Sequence, residues 1–303
     1  MKKKSKKYNP LRMEKELSDL IEYIENAGFE SKEEIDRFLA KMGGKKIGSV
    51  LNKKKTAADE AFELILEAQE VSPEEGIKLA KKAITLDPNC ADAYTFIADH
   101  TEDEDEALEL YQKAMQVARE SLGENAFIEY VGHFWGITKT RPYMRAKAGY
   151  ASSLILKGDL QSAIKEFQEM LVLNPSDNQG IRFSLSVLLL QLNRLREYED
   201  LLKQYKDENS AGWLYNRVLY LYLKYGGTTR TISALEEAIA ENKYVMDLIT
   251  GLEEPPKELP ESYGIGSYEE AVLYYWESIL TWMAHKKAIL WLIRYWERRR
   301  EIN

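Results

Sequence analysis

Three consecutive stretches starting at residues 144, 178 and 212 keep one register at a spacing of 34 residues, and this regularity restricts the fold more than any single motif. Ala151, Leu185 and Leu219 occupy one equivalent position, Phe167, Leu201 and Leu235 another, and Gly226 falls where Gly158 does. The first stretch reads MRAKAGYASSLILKGDLQSAIKEFQEMLVLNPSD. Its first half is a helical pattern with Ala148, Ala151, Leu154 and Ile155 apolar, and it runs into Lys157-Gly158-Asp159, where glycine permits the positive φ of a helix end. Its second half carries Ala163, Phe167 and Leu171 at four-residue spacing, which keeps them on one helical face. It stops before Asn174-Pro175, because a residue that precedes proline disfavours the helical region. The unit is therefore two short antiparallel helices. Ala151 and Ala163 let them approach closely while Phe167 fills the remaining gap, and stacking on neighbouring units buries what one hairpin cannot.

Alanine, an aromatic residue four positions later and proline eight after that is the tetratricopeptide pattern. The fold class it predicts is all-α: a TPR-like helical-hairpin solenoid with an N-terminal helical hairpin and an aromatic C-terminal capping hairpin. Residues 1–10 read as a basic disordered tail, 11–55 as the N-terminal hairpin and a Gly- and Lys-rich linker, and 56–303 as the solenoid. Repeats are predicted at 57–90, 91–121, 144–177, 178–211 and 212–245. An insertion at 122–143 breaks the period, and 246–303 forms the cap. In the N-terminal hairpin Leu17, Leu20, Ile21 and Ile24 share a face, and Ser31 caps the second helix ahead of Glu34. Pro73 suits a helix start and Asp87-Pro88 a helix end in the first repeat. The acidic run Glu102 to Glu106 reads as a helix N-terminus favoured by the helix dipole. Four of the six tryptophans, Trp276, Trp282, Trp291 and Trp296, lie in the last hairpin, where large aromatic surface would cover the open end of a stack.

Composition enters mainly by exclusion. No stretch approaches the roughly 20 apolar residues of a membrane span, the start Met-Lys-Lys-Lys-Ser-Lys-Lys has no apolar segment after it, and the single cysteine, Cys90, cannot build a disulfide framework. A cytoplasmic location without membrane contact, metal or cofactor is the expectation. Residues 1–55 hold 15 Lys+Arg against 9 Asp+Glu in a chain of net charge −8, which leaves the remainder distinctly acidic and repellent to nucleic acid. Only the Lys2 to Lys7 tail could attract RNA, and no aromatic residues interleave its lysines to stack on bases. No phosphate loop, dinucleotide fingerprint or zinc-protease helix is present, and no serine or cysteine has a context that marks a nucleophile.

The first helix of each repeat lines the groove of such a stack, and the register points Arg145 inward from one unit, Gln179, Arg182 and Ser186 from the next, and Trp213, Asn216 and Tyr220 from the third. Guanidinium groups, amides and aromatic rings on one surface suit an extended peptide that carries a carboxylate. The competing reading ties Arg145 and Arg182 into ion pairs with residues such as Asp177 or Glu166. The insertion adds His133, Trp135, Arg141 and Tyr143, either reaching into the groove or plugging the gap between repeats. As alternatives to a scaffold, His133 could serve a hydrolase or transferase as base, or the basic tail could associate with RNA or the ribosome. The aromatic C-terminal hairpin could also support a homodimer.

The stretches GHFWGITKTRPYMRA (132–146) and LNPSDNQGIR (173–182) resemble signatures of a group of bacterial tetratricopeptide proteins of unassigned role, over roughly residues 56–295. From the third full unit through ENKYVMDLITG and SYEEAVLYYWESILTWMAHKKAILWLI the chain is also similar to the C-terminal half of the animal suppressor-of-tumorigenicity seven family. Relatives read Asn-Pro where this chain has Asn242-Lys243, which leaves Asn242 to cap the unit. The resemblance implies a binding scaffold and makes Trp135, Arg141, Arg145, Asn178 and Arg182 candidates for a common site.

Overall fold

The computed structural model describes residues 9–42 and 55–302. The Lys2 to Lys7 tail and most of the 42–55 linker lie outside the described residues. Those described form sixteen α-helices and no strand. They divide into two compact units, one ending at Asn178 and the other beginning at Gln179.

In the first unit, α1 (Pro10–Asn26) starts with proline in its first turn and Asn9 accepting from the Arg12 amide. It pairs with α2 (Lys32–Met42) through Tyr23 and Phe38, whose rings stack at 5.2 Å, and Ser31 accepts from the Glu34 amide at 3.3 Å as its position predicts. Three hairpins follow: α3 (Ala57–Ala68) with α4 (Pro73–Leu86), α5 (Ala91–Asp99) with α6 (Glu104–Leu122), and α8 (Arg141–Leu156) with α9 (Leu160–Leu173). Thr56 and Asp59 form a reciprocal capping box on α3, and Asp103 accepts the Asp105 and Glu106 amides, so the acidic run is a helix start. The helices meet through small residues: Ala61, Ala80, Ala83, Ala114, Ala151 and Ala163 are fully buried. At Gly76 the approach is closer than any side chain allows, since a Cβ there would lie 2.6 Å from the Phe96 ring. The close crossing of paired helices over alanine and glycine is what makes these hairpins TPR-like.

The segment between α6 and α8 contains the short α7 (Ala126–Glu129) and two 3-10 turns, Phe134–Gly136 and Thr138–Thr140. Helix α8 begins at Arg141, ahead of the 144 start that the period suggests, because Pro142 in a first turn lacks only an N–H that the helix would leave unpaired anyway.

The second unit holds the hairpins α10 (Ile181–Gln191) with α11 (Leu195–Gln204) and α12 (Ala211–Tyr225) with α13 (Thr229–Glu241), then α14 (Tyr244–Ile249), α15 (Tyr268–Ala284) and α16 (Lys286–Ile302). The turn position filled by Gly158 and Gly226, both at positive φ, is taken in the intervening hairpin by Asn193 at φ 56, a residue that tolerates the left-handed region. Asn242 compensates for the missing proline at the end of α13: its side chain donates to Ser267 O at 2.8 Å and to Glu270 at 3.0 Å and accepts the Tyr244 amide at 3.1 Å.

The C-terminal hairpin covers the apolar surface of the two repeats before it. Helix α15 lies along α10 and α12, on the face that the register assigns to the groove. Thr281 donates to Val187 O at 3.1 Å, Tyr274 donates to Asn216 at 2.9 Å, and the Ala211 amide donates to Glu270 at 3.2 Å. The physical reason is the composition of the covered helices. In α10 seven of the residues from Ile181 to Leu190 are buried, and α12 buries nine of its fifteen residues. A helix apolar nearly all round requires cover on the side its repeat neighbours leave open, and α15 supplies it with Ala271, Val272, Tyr274 and Trp282, all buried.

Candidate functional site

Within the first unit, the residues with a potential for recognition converge where α1 crosses the start of α8. Arg145 projects from the second turn of α8 and is held on two sides. Its Nε and Nη2 donate to Asp92 at 2.9 Å each, in the bidentate geometry that a planar guanidinium offers a carboxylate. Its Nη1 and Nη2 donate to Glu14 of α1 at 3.1 Å. Arg141, one turn earlier, donates through Nη1 to the same Glu14 at 3.2 Å and through Nε to Trp135 O at 2.8 Å, and its guanidinium lies 5.3 Å from the centre of the Trp135 ring. Burial alone would push the Arg145 pKa down, but Asp92 and Glu14 outweigh it and hold the charge in place. Arg145 is thus tied into ion pairs, with Asp92 and Glu14 as its partners, while Glu166 pairs with the buried Lys147.

The attachment of α1 is polar. Besides Glu14, Lys15 reaches Asp59 at 2.7 Å and Arg12 lies 3.9 Å from Glu63. Burial pushes the Asp59 carboxyl up, but hydrogen bonds from Lys15 and Thr56 outweigh it and hold the group well below the usual carboxylate range. No residue of α1 is buried, and Met13, Leu17 and Ile21 are 54%, 43% and 40% exposed. Beside Met13 and Leu17 a cavity of about 620 Å³ runs between α1 and Trp135, Arg141 and Arg145.

The insertion is knitted to the hairpins by aromatic contacts. Tyr143 is buried with its ring 4.9 Å from Phe127, which is 5.1 Å from Phe134. The Gly132 amide donates to Leu173 O at 3.0 Å, and Thr140 donates to Phe134 O. Of the insertion candidates, Trp135 and Arg141 therefore join Arg145, Tyr143 is a packing residue, and His133 stays exposed on the loop. Asn178, at the end of the unit, is exposed as well. Cys90 is a poor nucleophile: burial, with Asp92 and Asp87 nearby, pushes its thiol up to about 12.

In the second unit the predicted groove residues are not an open surface. Trp282 Nε1 donates to the Tyr274 hydroxyl at 3.0 Å and Tyr274 donates to Asn216 Oδ1 at 2.9 Å. Asn216 Nδ2 then donates to Ser186 at 2.8 Å and Ser186 to Phe183 O at 2.7 Å. Ser186, Asn216, Trp213 and Tyr220 are all buried, with Tyr198 packed between the rings of the last two at 6.4 and 5.3 Å. These four are corrected from ligand contacts to structural ones, because α15 occupies the face they line or they pack within the hairpins. Arg182 donates to Glu208 at 2.5 Å through Nη2 and lies 4.3 Å from the Phe183 ring centre. Burial raises the Glu208 pKa, but the Ser210 amide and Arg182 outweigh it and hold the carboxyl low. Gln179 is half-buried at the start of the unit.

The residues that sequence reasoning missed are Glu14 and Asp92. They lie 131 and 53 positions from Arg145, and neither sits in a local pattern that marks it as a partner. Among the described residues no group of three His, Cys, Asp or Glu side chains is placed to hold a metal ion, and no helix is long and apolar enough to cross a membrane.

The fold and the arginine cluster define an all-α chain of TPR-like helical hairpins with a charged recognition candidate in its first unit. No family model and no curated protein matches the chain. Among solved structures it is similar to YrrB, described as a TPR protein with an unusual peptide-binding site, at 19% identity and a TM-score of 0.43, over 61% of this chain and 84% of that one. A likeness this loose bears no weight, and the fold assignment stands on the hairpins themselves.

Proposed function

We propose that this chain is a protein-interaction scaffold whose first unit receives an acidic group of a peptide or protein at Arg141 and Arg145, beside the Trp135 ring. One observation carries the reading: two guanidinium groups from successive turns of α8 converge on a single carboxylate, that of Glu14. Paired arginines next to an aromatic face suit an acidic side chain flanked by apolar ones. The reading replaces a continuous groove with a localised site, since Ser186, Trp213, Asn216 and Tyr220 are buried. It also keeps the chain with the bacterial tetratricopeptide group, whose FWG and TRPYMRA signatures contribute Trp135, Arg141 and Arg145. An enzymatic reading finds less support, with His133 exposed and the Cys90 thiol held protonated.

A peptide array of helical 17-residue segments, graded in acidic content, tests the proposal against wild-type and Arg141→Ala/Arg145→Lys protein. Capture of acidic apolar segments by the wild type, lost in the variant while its circular dichroism is unchanged, is the expected result. Equal capture by both proteins overturns the site.

A further inference from the structure

Resting on that reading, we infer that α1 is a built-in occupant of the arginine site: a displaceable pseudo-ligand whose Glu14 stands where the partner's carboxylate binds, so that the partner is itself an acidic amphipathic helix.

Three observations on different physical footings support this. The first is the chemistry of the contact. Glu14 is only 11% exposed and takes donors from both Arg141 and Arg145, so it fills the site as a ligand would. The second is that Arg145 does not depend on Glu14 for charge balance. Asp92, on α5, already pairs with it through two donors and stays in place if α1 leaves. The guanidinium is thereby pre-oriented from one side and keeps its remaining N–H donors directed at α1, as in a site whose geometry is set before its ligand arrives.

The third is how α1 is held. A helix that belongs permanently to a repeat array buries an apolar stripe. This one buries no residue and is fastened by charged contacts at Arg12, Glu14 and Lys15, while Met13 and Leu17 stand beside the unfilled cavity. Of these contacts the Arg12 to Glu63 pair is 47% exposed on both sides and holds weakly, and no buried apolar stripe adds to the better-shielded pairs of Glu14 and Lys15. A competing helix with the same carboxylate and a fuller apolar face would gain the cavity that α1 leaves open. The sequence of α1, PLRMEKELSDLIEYIEN, states the recognised chemistry: a glutamate with apolar residues one and two turns along the same helix.

The test uses the full chain as wild type, Glu14→Gln and Glu14→Arg. Hydrogen exchange is followed over residues 10–26, and binding is measured by fluorescence anisotropy with a labelled synthetic copy of residues 10–26 added in trans. In Glu14→Arg the α1 amides should exchange at least tenfold faster with α8 unchanged, and the trans peptide should bind roughly tenfold tighter than to wild type. That factor corresponds to a tethered competitor that closes the site about nine-tenths of the time. Glu14→Gln should fall between the two, and a trans peptide with glutamine in place of its own Glu14 should bind none of the three proteins. If α1 protection in Glu14→Arg equals that of wild type, α1 is not held by this contact and the inference is overturned, while the acidic-peptide array result stands. If α1 is released and neither the trans peptide nor any array peptide binds the uncovered arginines, the site reading falls and the inference with it.

Discussion

Removing Arg145 is the sharpest test of the charge arrangement. In Arg145→Ala the Asp92 carboxylate, 8% exposed, loses both of its guanidinium donors, and Glu14 keeps only Arg141. Breaking a buried pair by deleting one partner costs about 3–5 kcal/mol, because the remaining charge stays desolvated. Asp92 recovers some of this from the N-terminal dipole of α5, in whose first turn it lies, so the low end, about 3 kcal/mol, is expected. For a unit of this size that lowers the midpoint of thermal unfolding by roughly 6–12 °C. Asp92→Ala alone should cost about as much, and the double variant should recover about 2 kcal/mol of the summed loss, since removing both charges leaves nothing uncompensated. Calorimetry on the four proteins measures the cycle. Strict additivity, or a cost for Arg145→Ala under about 1 kcal/mol, would show that the bidentate pair is not what holds α8 to α5. By contrast, Glu14→Gln should move the midpoint by less than about 1 kcal/mol equivalent, because the helix it anchors buries no residue.

Gly149→Ala should destabilise the protein by about 1–2 kcal/mol, although glycine to alanine within a helix ordinarily stabilises by about 1 kcal/mol; a Cβ there would lie 2.2 Å from the Tyr111 ring, and urea titration reads the sign. Cys90 should react with a disulfide reagent at pH 8 at least tenfold more slowly than a free cysteine and reach the free rate in denaturant, because burial has pushed its thiol up to about 12; fast labelling of the native protein would contradict this. The Asp59 carboxyl, held below its usual range in the folded chain, contributes stability that is present above its unfolded value near 4 and lost as pH falls toward the folded value. Protection factors of α1 amides should therefore drop relative to those of α8 on going from pH 4 to pH 2, and Asp59→Asn should flatten that dependence; a constant ratio in wild type would refute the role given to the Lys15 to Asp59 contact.

The hairpins were legible because their signals are local. Apolar residues at four-residue spacing, glycine where the chain needs positive φ and proline after a helix end each act within a few residues, and the register at 144, 178 and 212 multiplies them. Ser31, Asp103 and Gly158 cap or turn the chain as their neighbours dictate. The seat of α15 had a readable clue. The run Leu185 to Leu190 is apolar on every side, more than two helix neighbours can cover, so a further element had to lie on it. Which element does so is not local information.

The chain alone determined that helices pair over alanine and glycine, because close packing of two helices depends on residue size at the crossing. It also placed Arg141 and Arg145 one helical turn apart, with Trp135 six residues before Arg141. Only the tertiary structure decided what those arginines face. Asp92 and Glu14 come from helices separated from α8 by 53 and 131 positions, and a Coulombic contact depends on distance in space and on exclusion of water, neither of which is written in sequence order. The same holds for the second unit, where Asn216 meets Ser186 and the folded chain covers them with Tyr274 and Trp282.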